Sequence, residues 1–132
     1  MATLDNFVKD LFNKLAQGDR EYFFSKVADN VDWKVMGKHP LAGHYHSKND
    51  FLHATFHRLD KLLKKNLLFK ITNILIAEGY AVVEMESQAI ANNDEPFDNK
   101  YCWVIKFEDM VITEVRAYVD SASVQKLLDE NE

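Results

Sequence analysis

The 132-residue sequence predicts an α+β fold, with helices first and a mainly antiparallel, curved sheet after them. Two observations carry this. Apolar residues recur at helical spacing up to about residue 65, and a period of two then takes over for most of the chain. The longest alternating stretch places Phe97, Asn99, Tyr101, Trp103, Ile105 and Phe107 on one face. After a three-residue break, Thr113, Val115, Ala117 and Val119 alternate with Glu114, Arg116 and Tyr118. A hairpin this long and aromatic implies a sheet that bends over something.

Leu4, Phe7, Val8, Leu11, Phe12 and Leu15 form the apolar stripe of a first helix, with Thr3 placed to cap it and Gly18 to end it. Asp19 can cap a short second helix over 20–27, burying Tyr22, Phe23 and Val27, before Asp29-Asn30 turns the chain. Val31, Trp33 and Val35 alternate with Asp32, Lys34 and Met36 as a first strand. Residues 37–46 read as a loop bent at Gly37, Pro40 and Gly43. Ser47 and Asp50 resemble a capping box opening a long third helix to about Lys65, with Leu52, Phe56, Leu59 and Leu63 as its stripe. Strands follow at about 68–77, 81–91, 97–107 and 111–119, and Asp120 can cap a terminal helix over 122–128.

The length suits one domain, 1–132, able to bury a real core. Twenty-one acidic residues against 16 basic ones give a net charge of -5. No general field draws nucleic acid or anionic lipid, so neither is expected as a partner. Cys102 is the single cysteine, which excludes an intramolecular disulfide and suggests a reducing compartment and a small buried side chain. Asp5, Lys9, Asp10 and Lys14 interrupt any signal-peptide core, and no run reaches membrane-spanning length. A soluble, cytoplasmic protein is the expectation.

This element order resembles the nuclear transport factor 2-like superfamily, specifically its SnoaL-like polyketide cyclase and ketosteroid isomerase-like branch. The residues that carry the resemblance are 31–43, from Val31 through Trp33 to Pro40 and Gly43, then 98–107 around Tyr101-Cys102-Trp103, and 112–120 ending in Arg116-Ala117-Tyr118-Val119-Asp120. The resemblance implies a cone, in which a strongly bent sheet wraps three N-terminal helices and leaves an apolar pocket at its open end, and a homodimer through the outer sheet face. It does not carry the isomerase's chemistry. That enzyme's first-helix tyrosine falls at Leu11, its general base at Lys34 and its hydrogen-bonding acid at Trp103, while the acid of hydrolase and cyclase members falls at Ala117. None of these can shuttle a proton or hold an enolate as a carboxyl or phenol does. Two further departures are Asp109-Met110 where an Asp-Gly turn is usual, and Ser47 where a glycine is usual.

The resemblance makes Trp33, Val35, Phe56, Tyr101, Trp103, Val115 and Ala117 the expected walls of a pocket for a small apolar molecule. His39, in the loop that rims it, is the best-placed histidine for acid–base work, against the alternative of a solvated loop residue. Glu84 belongs to the strand face opposite Val83 and Met85. It is either a solvent or dimer-interface group or, where curvature turns it inward, a general base with a raised pKa. His53 and His57, and His44 and His46, have ligand spacing, but no third donor completes a motif, and neither metal nor cofactor is expected. The chain therefore reads as a small-molecule binder, either without chemistry or with isomerase- or cyclase-type proton transfer. The alternative from another class is a dimeric accessory module whose cone is filled by its own side chains.

Overall fold

The computed structural model describes residues 3–132, and its fold is α+β with a six-stranded, curved, unclosed sheet. Helix α1 (Leu4–Ala16) opens with Thr3 Oγ1 accepting the Asn6 N–H. It closes in a Schellman motif, with Asp19 N donating to Lys14 O, Gly18 N donating to Leu15 O, and Gly18 at φ +91°. Asp19 also caps α2 (Arg20–Ser25) through the Tyr22 N–H. That helix is shorter than its expected span, because Val27 already belongs to β1 (Val27–Val35). The seam is held by Lys48, whose ammonium donates to the carbonyls of Phe24 and Val27.

Two features of the next segment were not expected. Gly43–Tyr45 forms a short strand, β2, antiparallel to β1, inside what reads as a loop. The single long helix is two, α3 (Lys48–Ala54) and α4 (Phe56–Leu62), broken at Thr55, whose backbone sits at φ −121°, ψ −82°. Four helical segments thus precede the long strands. Ser47 caps α3 through the Asp50 N–H as expected, while Phe51, more than Leu52, is the buried side chain there.

Strands β3 (Phe69–Ala77), β4 (Tyr80–Ile90), β5 (Pro96–Glu108) and β6 (Val111–Val119) form the antiparallel meander. The sheet order is β2-β1-β6-β5-β4-β3, so β1 returns to lie parallel to β6. Asp109 and Met110 both take positive φ, +50° and +62°, giving the tight primed hairpin turn despite the missing glycine. Helix α5 (Ser121–Asn131) is capped by Asp120. One face of the sheet holds the core, in which Trp33, Phe12, Phe23 and Trp103 meet edge-on and Trp33 stacks on Phe51 at 3.9 Å between centroids. Cys102 lies half-buried on the other face, not in the core.

Candidate functional site

Alternation along β1, β5 and β6 sends Trp33, Val35, Tyr101, Trp103 and Ala117 toward the helices, and Phe56 meets them from α4. These six residues share the wall of a cavity of about 60 Å³ at the open end of the sheet. Val115 shares their face but lies one step deeper, packed in the core beneath the wall. The lining is almost entirely apolar. The lining residues that carry polar atoms are Trp33, Tyr101, Thr55 and His39, and those atoms contribute almost nothing to the cavity surface.

Each polar group has a distinct state. Thr55 Oγ1 donates to Phe51 O inside its own helix break, so it offers the cavity little. Trp33 Nε1 is buried with no partner among the described residues, and a buried N–H left unpaired costs roughly 1–3 kcal/mol. The Tyr101 hydroxyl is 2.9 Å from Ser87 Oγ, and burial pushes its pKa far above the phenol range, with the Ser87 hydrogen bond a smaller opposing effect. Tyr101 is therefore a neutral donor at any physiological pH.

His39 reaches the cavity from the 36–42 loop, and both its ring nitrogens are engaged. Nδ1 accepts the Leu41 N–H at 3.2 Å, which leaves Nε2 as the nitrogen that donates to Met36 O at 3.1 Å. Burial lowers its pKa below 6.5, outweighing the Met36 carbonyl, which favours the cation. The loop itself is held against α5, because a Cβ at Gly37 would collide with Ser121, and Gly37 takes φ +103°.

Glu84 does not join this group. It is exposed on the outer sheet face, where its carboxylate accepts from Asn73 Nδ2 at 3.2 Å. Its effect there is on Cys102, its cross-strand partner, whose thiol pKa is raised by burial first and by the Glu84 charge second. The inward turn that a general base at Glu84 requires is absent.

Two residues that the sequence reading passed over belong near the site. Ser87 and Asn99 are paired across β4 and β5, both buried on the inner face, and Asn99 Nδ2 has no partner among the described residues. They border, from within the sheet, an open cleft of about 610 Å³ whose charged lining is the cross-strand row Lys70, Glu86 and Lys100 on the outer face, with Leu68 and Asp120 at its ends. The signal was available. A serine and an asparagine repeating within apolar strand faces are polar groups placed where only a partner makes burial tolerable.

The His53 and His57 rings approach each other on the outside of α3 and α4, their Nδ1 atoms 3.2 Å apart, far from being a completed ligand set. His44 and His46 project from the β2 ribbon beside Asp32. Among the described residues no helix is long and apolar enough to cross a membrane.

No protein-family profile matches the chain. Among curated proteins it is similar to the dimerizing cyclase phiC of a fungal species (strain ATCC 74256), with 30% identity over 131 residues covering 96% of this chain and 57% of the relative. It is similar also to the dimerizing cyclase tstC of Talaromyces stipitatus, at 29% identity over 133 residues, with 96% and 57% covered. The chain thus spans little more than half the length of these relatives. Among solved structures, a nuclear transport factor 2-like protein from Burkholderia thailandensis superposes with a TM-score of 0.82 at 19% identity, covering 97% of this chain and 98% of that one. A protein with a cystatin-like fold from Xanthomonas campestris gives a TM-score of 0.78 at 17% identity, covering 96% and 98%. A protein with a ketosteroid isomerase-like fold from Catenulispora acidiphila, in complex with trimethylamine, gives 0.70 at 15%, covering 92% and 91%. With cyclases as its curated relatives and these structures as its neighbours, the chain has the nuclear transport factor 2-like, ketosteroid isomerase-like fold that its sequence resembles.

Proposed function

We propose that the chain binds a small, largely apolar carbonyl compound at the open end of the cone and moves a proton on it in cyclase-type chemistry. The observation that carries this reading is the Trp33 N–H, buried without a partner among the described residues, on a side chain that lines the apolar cavity. A carbonyl oxygen supplies the acceptor it lacks, and an enolate oxygen does so more strongly, because charge develops opposite a donor already fixed in a dry site. Tyr101 and Asn99 offer further neutral donors along the adjoining face.

His39 is the one ordinary base in the cavity wall, kept neutral by burial. To act, its Nδ1 has to exchange the Leu41 N–H for a C–H proton next to the carbonyl. That C–H bond breaks and its electron pair becomes the enolate; the enolate carbon then closes a ring on a second carbonyl carbon of the molecule, whose π pair becomes an alkoxide that takes the proton back from His39. Ketosteroid isomerase chemistry itself is not expected, given Leu11, Lys34 and Trp103. The cyclase relatives support the reaction class. We further place the protein in the cytoplasm as a homodimer, on the strength of its lone thiol and its bare outer sheet face.

The test uses 2-tetralone, an apolar ketone with acidic α-hydrogens, and follows deuterium uptake from heavy water by NMR. Wild-type protein should accelerate exchange, His39→Gln should abolish the acceleration while retaining binding, and Trp33→Phe should weaken both. Exchange at the buffer rate with no detectable binding overturns the reading.

A second reading is favoured by the cavity's size. About 60 Å³ holds roughly two waters at about 30 Å³ each, whereas ligand sites usually exceed about 300 Å³. On this reading the cone is simply filled and the protein is an accessory module. Native mass spectrometry of freshly purified protein separates the two, since a small molecule travelling with the chain belongs only to the first.

A further inference from the structure

We propose that Asp32, His44 and His46 form a binding site for a divalent transition-metal ion on the outer face of the β1–β2 ribbon. The antiparallel register pairs Trp33 with Tyr45 and Lys34 with His44. One step further along the ribbon brings His46 across from Asp32. Trp33 turns into the core, so the side chains at 32, 44 and 46 project outward together. One donor atom from each lies within 4.8 Å of the other two. His44 Nε2 already contacts Asp32 Oδ1, and the two imidazoles sit 4.2 Å apart between centroids.

Two imidazole nitrogens and one carboxylate oxygen are a borderline donor set. It suits zinc, nickel or cobalt rather than magnesium or calcium, which prefer all-oxygen shells. Three protein donors leave coordination positions open to solvent. The surrounding charges do not decide the matter, because Lys34 and Arg116 on the same outer face are balanced by Asp32 itself and by Glu114, its neighbour across β6. A simple His44–Asp32 ion pair needs only one imidazole, and here two converge. The site lies on the opposite sheet face from the cone, so it stands whether or not the cavity binds a ligand. Bound metal would also tie β2 to β1 and brace the His39 loop between them.

The test is titration of the dialysed full chain with zinc sulfate by calorimetry, paired with thermal unfolding. One saturable site is expected, with unfolding shifted upward because the ion binds only the folded ribbon. Losing a mere supporting partner of a ligand costs about 10–100-fold in affinity, so His44→Ala, His46→Ala and Asp32→Asn should each cost at least that. The pair His53→Ala and His57→Ala should leave binding unchanged. In wild-type protein, zinc should shift the ring resonances of His44 and His46, which tests the site even where a variant folds poorly. Absence of saturable zinc uptake overturns the proposal, as does undiminished binding after both His44 and His46 are replaced, or magnesium competing on equal terms.

Discussion

His39 shows how a residue chosen for chemistry can also be a structural staple. Its two hydrogen bonds, to Met36 and Leu41, close a turn that holds the ring where burial keeps it neutral in the folded state. Burial sets the folded pKa below the unfolded value of 6.5, so as pH falls the unfolded chain takes up the proton first. The contribution to stability is complete above about pH 6.5 and is lost as pH falls from there toward the folded pKa. Urea unfolding between pH 7.5 and 5 should show a decline that is shallower in His39→Gln. An identical decline in the variant would mean that other groups carry the acid sensitivity. The sequence placed His39 at the rim by resemblance, yet its tied state depends on turn geometry within three residues, which no periodicity reports. Ser87 and Asn99 were legible in the opposite way, as polar interruptions of apolar faces that only a structure pairs across β4 and β5.

The elements divide by length. Strands β4 to β6 were readable because each runs for nine or more residues with one face buried, so the period of two repeats often enough to be unmistakable, whereas β3 buries only Phe69 fully. Strand β2 spans three residues and carries no pattern of its own, and the parallel partner of β1 lies some 80 residues away on β6. The break at Thr55 was hidden because Phe56, Leu59 and Leu63 continue a plausible stripe, while the break brings Phe51 rather than Leu52 into the core. The β5–β6 turn forms against local preference. Met110 at φ +62° carries roughly 1–2 kcal/mol of left-handed strain. Glycine relieves that strain, but its added freedom in the unfolded chain gives back about 0.4–1 kcal/mol. Met110→Gly should therefore raise unfolding stability by somewhat under about 1 kcal/mol, measured in urea. Lower stability in the variant would show that packing of the half-buried Met110 side chain outweighs backbone strain.

At the scale of the molecule, the sheet is covered on one face by helices and left bare on the other, and the bare face is not uniformly polar. The register aligns Leu75, Val82 and Val104 in one row across β3, β4 and β5, with Cys102 and Tyr118 in the next row. Leu75 is 57% exposed and Tyr118 43% exposed. Single exposed apolar residues need no explanation, but a row that continues across three strands does. A two-fold pairing of these faces matches each row with its own copy, which is how isologous dimers form. Such a pairing has to cover about 800 Å² per partner to be stable, roughly a tenth of the chain's 7397 Å² of surface. Sedimentation velocity should therefore give a dimer for the wild-type chain. Val104→Lys, placed mid-row on the outer face, should give a folded monomer with unchanged circular dichroism, because it buries an unpaired charge only in the dimer. The edge strands β2 and β3 offer the competing mode, strand-to-strand addition through free backbone groups. That mode leaves Val104 outside the contact, so a Val104→Lys variant that remains dimeric moves the interface from the face of the sheet to its edge.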